Sequence, residues 1–215
     1  MNLYEILQPA DDALFQRDAL YGVVVAIVTK NQDPDGLGRV RLKFPWLSDD
    51  QESDWARIAT PMAGKKRGLF FLPEEQDEVL VAFEHGDIRR PVVLGGLWNG
   101  KDVPPEDNGD GENNLRLIRS RSGHTVRLDD TKDAEKIEIV DASGKNSIVI
   151  DTKNNSITIT SEKDLTLSAP QGKIVLDGQE LELKAASKGS LAADQGLEVK
   201  AGATLTLQGQ TVNIN

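Results

Sequence analysis

From residue 137 onward, aliphatic residues recur in pairs two positions apart, and the pairs recur about every eight residues. The first members are Ile137, Ile148, Ile157, Leu165, Ile174, Leu181, Leu197, Leu205 and Val212, with a degraded phrase around Leu191 filling the one double interval. Between the two aliphatics stands a mostly polar or β-branched residue: Glu138, Val149, Thr158, Thr166, Val175, Glu182, Glu198, Thr206 and Asn213. A period of two is strand periodicity and predicts the outer pair on one face with the middle residue on the other. The segments between phrases, such as "DASGKN", "DTKNN" and "APQGK", are rich in Gly, Asn and Asp, which tolerate the backbone of a tight corner. Short strands at a fixed period with polar corners predict a β-solenoid or β-prism. A sandwich would bring aromatic plugs and loops of varied length.

One such phrase makes one strand and one corner, which is one face of a coil. Three phrases of one chain per coil would enclose very little. Three identical chains winding together, each giving one face per layer, turn ten phrases into a prism roughly 45 to 50 Å tall. The expected needle core is Ile148, Ile150, Ile157, Ile159, Leu165, Leu167, Ile174, Leu176, Leu181, Leu183, Leu197, Val199, Leu205, Leu207, Val212 and Ile214. A lone chain leaves these side chains wet, so folding and trimerisation are expected to be inseparable. The repeat stops at Val212, Asn213, Ile214 and Asn215 without a polar capping unit, which marks those four residues as a surface for a separate tip protein.

The first half has a different pattern. "YGVVVAIVTK", "GRVRLKF", "WARIAT", "EVLVAFE" and "PVVLGGLW" read as five strands between residues 21 and 98, with turn residues between them and no amphipathic helix. Five strands in so short a stretch predict a small closed barrel. The expected organisation is an N-terminal docking segment over 1–20, a barrel over 21–100, a linker over 101–115 and the needle over 116–215. Together these give an all-β protein.

Composition sharpens this division. Residues 1–115 carry 12 Lys and Arg against 21 Asp and Glu, and all ten aromatic residues; residues 116–215 carry 13 against 14, and none. A narrow repetitive interior has room for aliphatics of uniform size, whereas a mixed barrel core uses rings. The net charge of -10 argues against nucleic acid as a partner, because phosphate contacts need a basic surface. The absence of cysteine excludes disulfides and thiolate metal sites. The N-terminal sequence lacks a charged region followed by an apolar run, so assembly in the cytoplasm is expected.

Candidate chemistry is sparse. Asp33 and Asp35 in "NQDPDGLG" resemble half a calcium loop, but the later ligand positions are missing. "DNGDGENN" at 107–114 reads as linker. His124 has Ser122, Asp129 and Asp130 nearby, but residues on alternating strand faces do not converge on one substrate atom. His85 reads as a turn residue. The acidic run at 74–78 has no cleft or substrate platform beside it, and "GKKRG" at 64–68 lacks a phosphate-loop frame. No catalytic, cofactor-binding or metal-binding residue is expected. Arg119 and Arg121 are expected to pair with acidic residues between chains.

Three stretches carry a family resemblance: "YGVVVAIVTKNQDPDGLGRVRLKFPWL", "WARIATPMAGKKRGLFFLPEEQDEVLVAFEHGDIRRPVVLGGLWNG" and "IRSRSGHTVRLDDTKDAEKIEIVDASGKNSIVID". The chain resembles the spikes of contractile injection machines, the phage baseplate assembly protein V family and the valine-glycine repeat protein G of type VI secretion, in its short form without a hub module or lysozyme domain. The resemblance implies an OB-fold barrel followed by an intertwined trimeric β-helix. It further implies a homotrimer that joins a baseplate hub protein at the barrel end and carries a PAAR-like tip protein. The implied function is that of a structural spike in a phage-tail-like particle, piercing a target membrane mechanically. A trimeric tail fibre or adhesin, and a β-helix carbohydrate-active enzyme, are the alternatives; the short corners without aromatics speak against both.

Overall fold

Three consecutive valines open the first of the seven strands described in the N-terminal part: β1 (Val23–Lys30), β2 (Arg41–Lys43), β3 (Arg57–Ile58), β4 (Ala63–Gly64), β5 (Arg67–Gly68), β6 (Glu78–Phe83) and β7 (Pro91–Gly96). The computed structural model describes residues 19–47 and 51–213. Five of these strands form one sheet in the order β2-β1-β6-β7-β3, antiparallel throughout except for β3 beside β7. Bridges from Val40 to Ala56 and from Lys43 to Glu52 join the β2 edge to the chain leading into β3, so the two outer edges of the sheet meet. This is the arrangement of an OB-type barrel, with five short strands sharing one small interior.

The interior holds Ala26, Val28, Val40, Leu42, Phe44, Ala56, Val79, Val81, Phe83 and Val93. Alternation explains the choice: along β6, Val79, Val81 and Phe83 are buried while Glu78, Leu80 and Ala82 are half-buried. Phe44 and Phe83 close one end with ring centroids 5.6 Å apart in a tilted pair. All five barrel strands read from the sequence are present. The "GKKRG" segment adds the small β4–β5 hairpin, which turns through Lys66 at φ 56.

In the β1–β2 loop, Asp33 accepts from the backbone N–H groups of Asp35, Leu37 and Arg39, and its carboxylate is gripped by the Arg39 guanidinium at 2.8 Å. The guanidinium holds the Asp33 carboxyl well below the usual carboxylate range. Its lone pairs are used to shape the loop. His85 lies in a single 3-10 turn, Glu84–Gly86, between β6 and β7, in the left-handed region at φ 51.

A second sheet follows, built of β8 (Leu115–Arg119), β9 (Thr125–Asp129), β10 (Lys136–Val140), β11 (Ser147–Asp151) and β12 (Ser156–Thr160). It is an antiparallel meander in sequence order. Each of its four turns uses one residue with positive φ: Gly123, Asp133, Gly144 and Asn155. Aspartates close three of the turns by accepting hydrogen bonds from within them. Asp129 accepts from Thr131 N–H, Asp141 from Asn146 and Ser143, and Asp151 from both nitrogens of Asn154. The polar corners of the repeat are thus a recurring turn device.

The prism pattern predicts that each phrase gives one face of a layer. The phrases at 137, 148 and 157 instead pair with one another inside a single chain as β10, β11 and β12. The chain divides into two units after Thr160. Among the described residues of the second unit, 161–213, no strand is formed, and nearly all are exposed. Among the described residues no helix is long and apolar enough to cross a membrane.

Candidate functional site

The register of the second sheet sets two columns of side chains on one face. Ile118, Val126, Ile139, Ile148 and Ile159 stand opposite one another across the five strands, as do Arg116, Leu128, Ile137, Ile150 and Ile157. The aliphatics of both columns are exposed. The opposite face is the better covered one: Leu117, Arg127, Glu138 and Val149 are half-buried there, and Arg127 and Lys136 both pair with Glu138, whose side chain is 12% exposed. Charged side chains with long stems lie flat over the sheet and satisfy one another, while the aliphatic face meets water.

This inverts the usual rule for a soluble sheet, whose apolar face packs on a core. A contiguous apolar face of this kind marks an interaction surface. Of the residues expected in the needle core, Ile148, Ile150, Ile157 and Ile159 lie together in these columns. Leu165, Leu167, Ile174, Leu176, Leu181, Leu183, Leu197, Val199, Leu205, Leu207 and Val212 lie in the second unit, all exposed and outside any strand. Of the expected tip surface, Val212 and Asn213 are exposed, while Ile214 and Asn215 lie outside the described residues, as does most of the expected docking segment, residues 1–18.

The residues that could have suggested catalysis have other occupations. His124 accepts the Ala142 N–H at Nδ1, 3.1 Å away, which ties the β8–β9 turn to the β10–β11 turn. Ser120 caps that same turn by accepting from His124 N–H. Asp129 closes its own turn and Asp130 pairs with Arg116 at 2.8 Å. In the acidic run, Asp77 accepts the Glu74 N–H, and Gln76 donates from its backbone to Val28 O. Arg121, expected to pair between chains, instead bonds Glu74 of its own chain at 2.8 Å and so ties the start of the second sheet to the barrel's acidic turn. The physical reason is reach: the "SRSG" turn and the "EEQDE" turn are neighbours in space although 47 residues apart in sequence. Among the described residues no cluster of three or more potential metal ligands occurs.

One surface went unread in the sequence. Met62, Leu69, Phe70 and Phe71 around the β4–β5 hairpin are exposed, Phe70 to 77%, beside a groove of about 770 Å³ that also runs past Leu94. The signal was present in "LFFL", where four consecutive apolar residues cannot all point inward from an extended chain. A further cluster at the β1–β2 side sets Arg39 and Arg41 over the ring of Trp55 at 5.9 and 5.2 Å. Its charges are neutralised locally by Asp33, Asp35 and Glu52.

Comparison with known proteins agrees with this geometry. Residues 24–98 match the family model described as the type VI secretion system/phage-baseplate injector OB domain. The type VI secretion system spike proteins VgrG1a and VgrG1c of Pseudomonas aeruginosa are each 33% identical to the chain over 116 residues, covering 49% of it and 18% and 16% of the relatives. The spike protein VgrG3 of Vibrio cholerae is 33% identical over 75 residues, 33% of this chain and 7% of the relative. The chain therefore spans less than a fifth of the length of these relatives. Residues 24–98 thus match the type VI secretion system/phage-baseplate injector OB domain, and the chain is similar over about half its length to VgrG-type spike proteins.

Proposed function

We propose that three copies of this chain form the central spike of a contractile injection system or phage tail, with the barrels as a collar and residues 116–215 as an intertwined β-helical needle that pierces the target envelope mechanically. The observation that carries the proposal is the pair of aliphatic columns on the second sheet, exposed in a lone chain and continued by the same phrase through the second unit. Covering them from three sides gives each aliphatic a buried environment worth about 1.5–3 kcal/mol per side chain. The work is mechanical and needs no catalysis by this chain's own side chains.

In this reading the barrel end meets a hub protein of the baseplate through the first twenty residues and the acidic first half. A PAAR-like tip protein sits on Val212, Asn213, Ile214 and Asn215, and the particle is assembled in the cytoplasm. Native mass measurement of the purified full chain tests the core of the proposal. A mass of three chains at micromolar concentration is expected, and a stable folded monomer overturns it. Deleting residues 1–19 is expected to leave the trimer intact and abolish co-purification with the hub protein; retained binding moves the hub contact elsewhere.

A further inference from the structure

The barrel carries two kinds of cation. Lys30, Arg39, Arg41, Arg57, Arg89 and Arg90 each face a carboxylate of their own chain. Lys65, Lys66 and Arg67, consecutive in the β4–β5 hairpin, are exposed, and among the described residues none of them has such a partner. They stand at the apolar groove of about 770 Å³, around which Met62, Leu69, Phe70, Phe71 and Leu94 are all exposed. Lys66 and Arg67 line the groove themselves.

Part of the groove is bare because β7 supplies no side chains there. Gly95 and Gly96 line it, and a Cβ added at either would meet nothing within 4 Å. Neither has a positive φ, so the backbone of this chain gives no reason for glycine at these positions. The other use of glycine in a strand is to let a further backbone approach closely. Apolar walls, a bare stretch of strand and unpaired cations at the rim fit a chain segment that is itself apolar and acidic.

Such a segment precedes the barrel. Residues 1–18 hold Leu3, Tyr4, Ile6, Leu7, Leu14 and Phe15 together with four carboxylates, Glu5, Asp11, Asp12 and Asp18, against one cation, Arg17. The chain enters the barrel where the Leu20 N–H donates to Gly86 O at 2.9 Å, in the turn that joins β6 to β7. From Pro91 at the start of β7, Leu94 and Gly96 lie three and five residues along the strand, or roughly 10–17 Å. Eighteen residues reach up to about 60 Å when extended, so the groove is well within their span. Tethering also holds the segment at an effective concentration on the order of millimolar, which favours it over a free partner of the same chemistry. We infer that residues 1–18 seat in the groove of their own barrel, with their apolar side chains against Phe70, Phe71 and Leu94 and their carboxylates on Lys65, Lys66 and Arg67. The inference does not rest on the trimer proposed above, and it leaves the outer side of the segment for the proposed hub contact.

Zero-length carbodiimide coupling of the full chain tests this, because it joins a lysine only to a carboxylate in contact with it. Mass mapping is expected to find Lys65 or Lys66 joined to Glu5, Asp11, Asp12 or Asp18 in a product of one chain mass. Links between these residues found only between two chains give the groove to a neighbour's segment, and no such link gives it to another occupant; either result overturns the inference. Hydrogen exchange provides a second reading. In the full chain, Lys65→Glu with Lys66→Glu and Arg67→Glu is expected to speed exchange in residues 62–71 by about tenfold or more and to leave β6 unchanged, since the three side chains are exposed. Equal rates in both proteins overturn the inference. Vesicles of phosphatidylglycerol and phosphatidylcholine offer the competing occupant, an anionic membrane surface. Binding to them by the unmodified chain that the charge-reversed variant loses overturns the assignment to residues 1–18.

Discussion

Ile139 on β10 stands directly opposite Ile148 on β11, and the two are 49% and 41% exposed although each has a hydrogen-bonded strand on both sides. Backbone pairing is complete around them and side-chain burial is not. The interior strands of the second sheet are thus paired in its plane but bare above it, which is the condition of an interaction surface.

Substitution along β12 separates the two faces. Ile157→Asp places a carboxylate in an aliphatic column and, in a trimer, three around one axis, with a loss of about 5–9 kcal/mol per trimer from burial alone. Thr158→Asp, on the other face, is expected to leave the trimer intact. Native mass and thermal melting of both variants check this, and equal damage from the two shifts the register by one residue.

The barrel has a core of its own. Leu42 is fully buried, so Leu42→Ala is expected to destabilise the barrel by about 2–5 kcal/mol. Denaturant unfolding followed by tryptophan fluorescence reads this out, because all three tryptophans lie in the first half. The oligomeric state is expected to be unchanged.

Acid is expected to loosen the turns of the meander. Hydrogen bonds from Asn146 and Ser143 hold the Asp141 carboxyl at about 2 instead of the ordinary 3.8. Asp129 is lowered by Thr131, and Asp151 by the backbone and side chain of Asn154. A carboxyl depressed in the folded state contributes stability that is present above the unfolded value and lost as pH falls through the folded one. The melting temperature should therefore be flat above about pH 4 and drop between about 4 and 2. Asp141→Asn should flatten part of that drop; an unchanged profile removes Asp141 from the account.

The Arg121–Glu74 pair is exposed on both sides, at 81% and 51%. Such pairs contribute about 0–1 kcal/mol and weaken with salt. Arg121→Ala is expected to shift the melt by no more than that and to leave the native mass unchanged. Loss of the trimer in this variant would return Arg121 to a contact between chains.

The chain's own pattern determined much of this protein. Period-two alternation located all five barrel strands and which residues of each phrase share a face, because a pleated strand sends neighbouring side chains to opposite sides whatever it pairs with. The loss of aromatics after residue 115 marked the change from a barrel with rings in its core to a sheet whose apolar face is aliphatic. Periodicity carries no information about the strand on the other side of a ladder, so the partners of β10, β11 and β12 were decided by the tertiary structure. Four left-handed turn residues fold those strands back within one chain, and the series of such residues ends at Asn155. Contacts distant in sequence were likewise invisible beforehand. Arg121 meets Glu74, and His124 meets the Ala142 amide, because the fold brings separate turns together, and no local rule of spacing records which turns become neighbours.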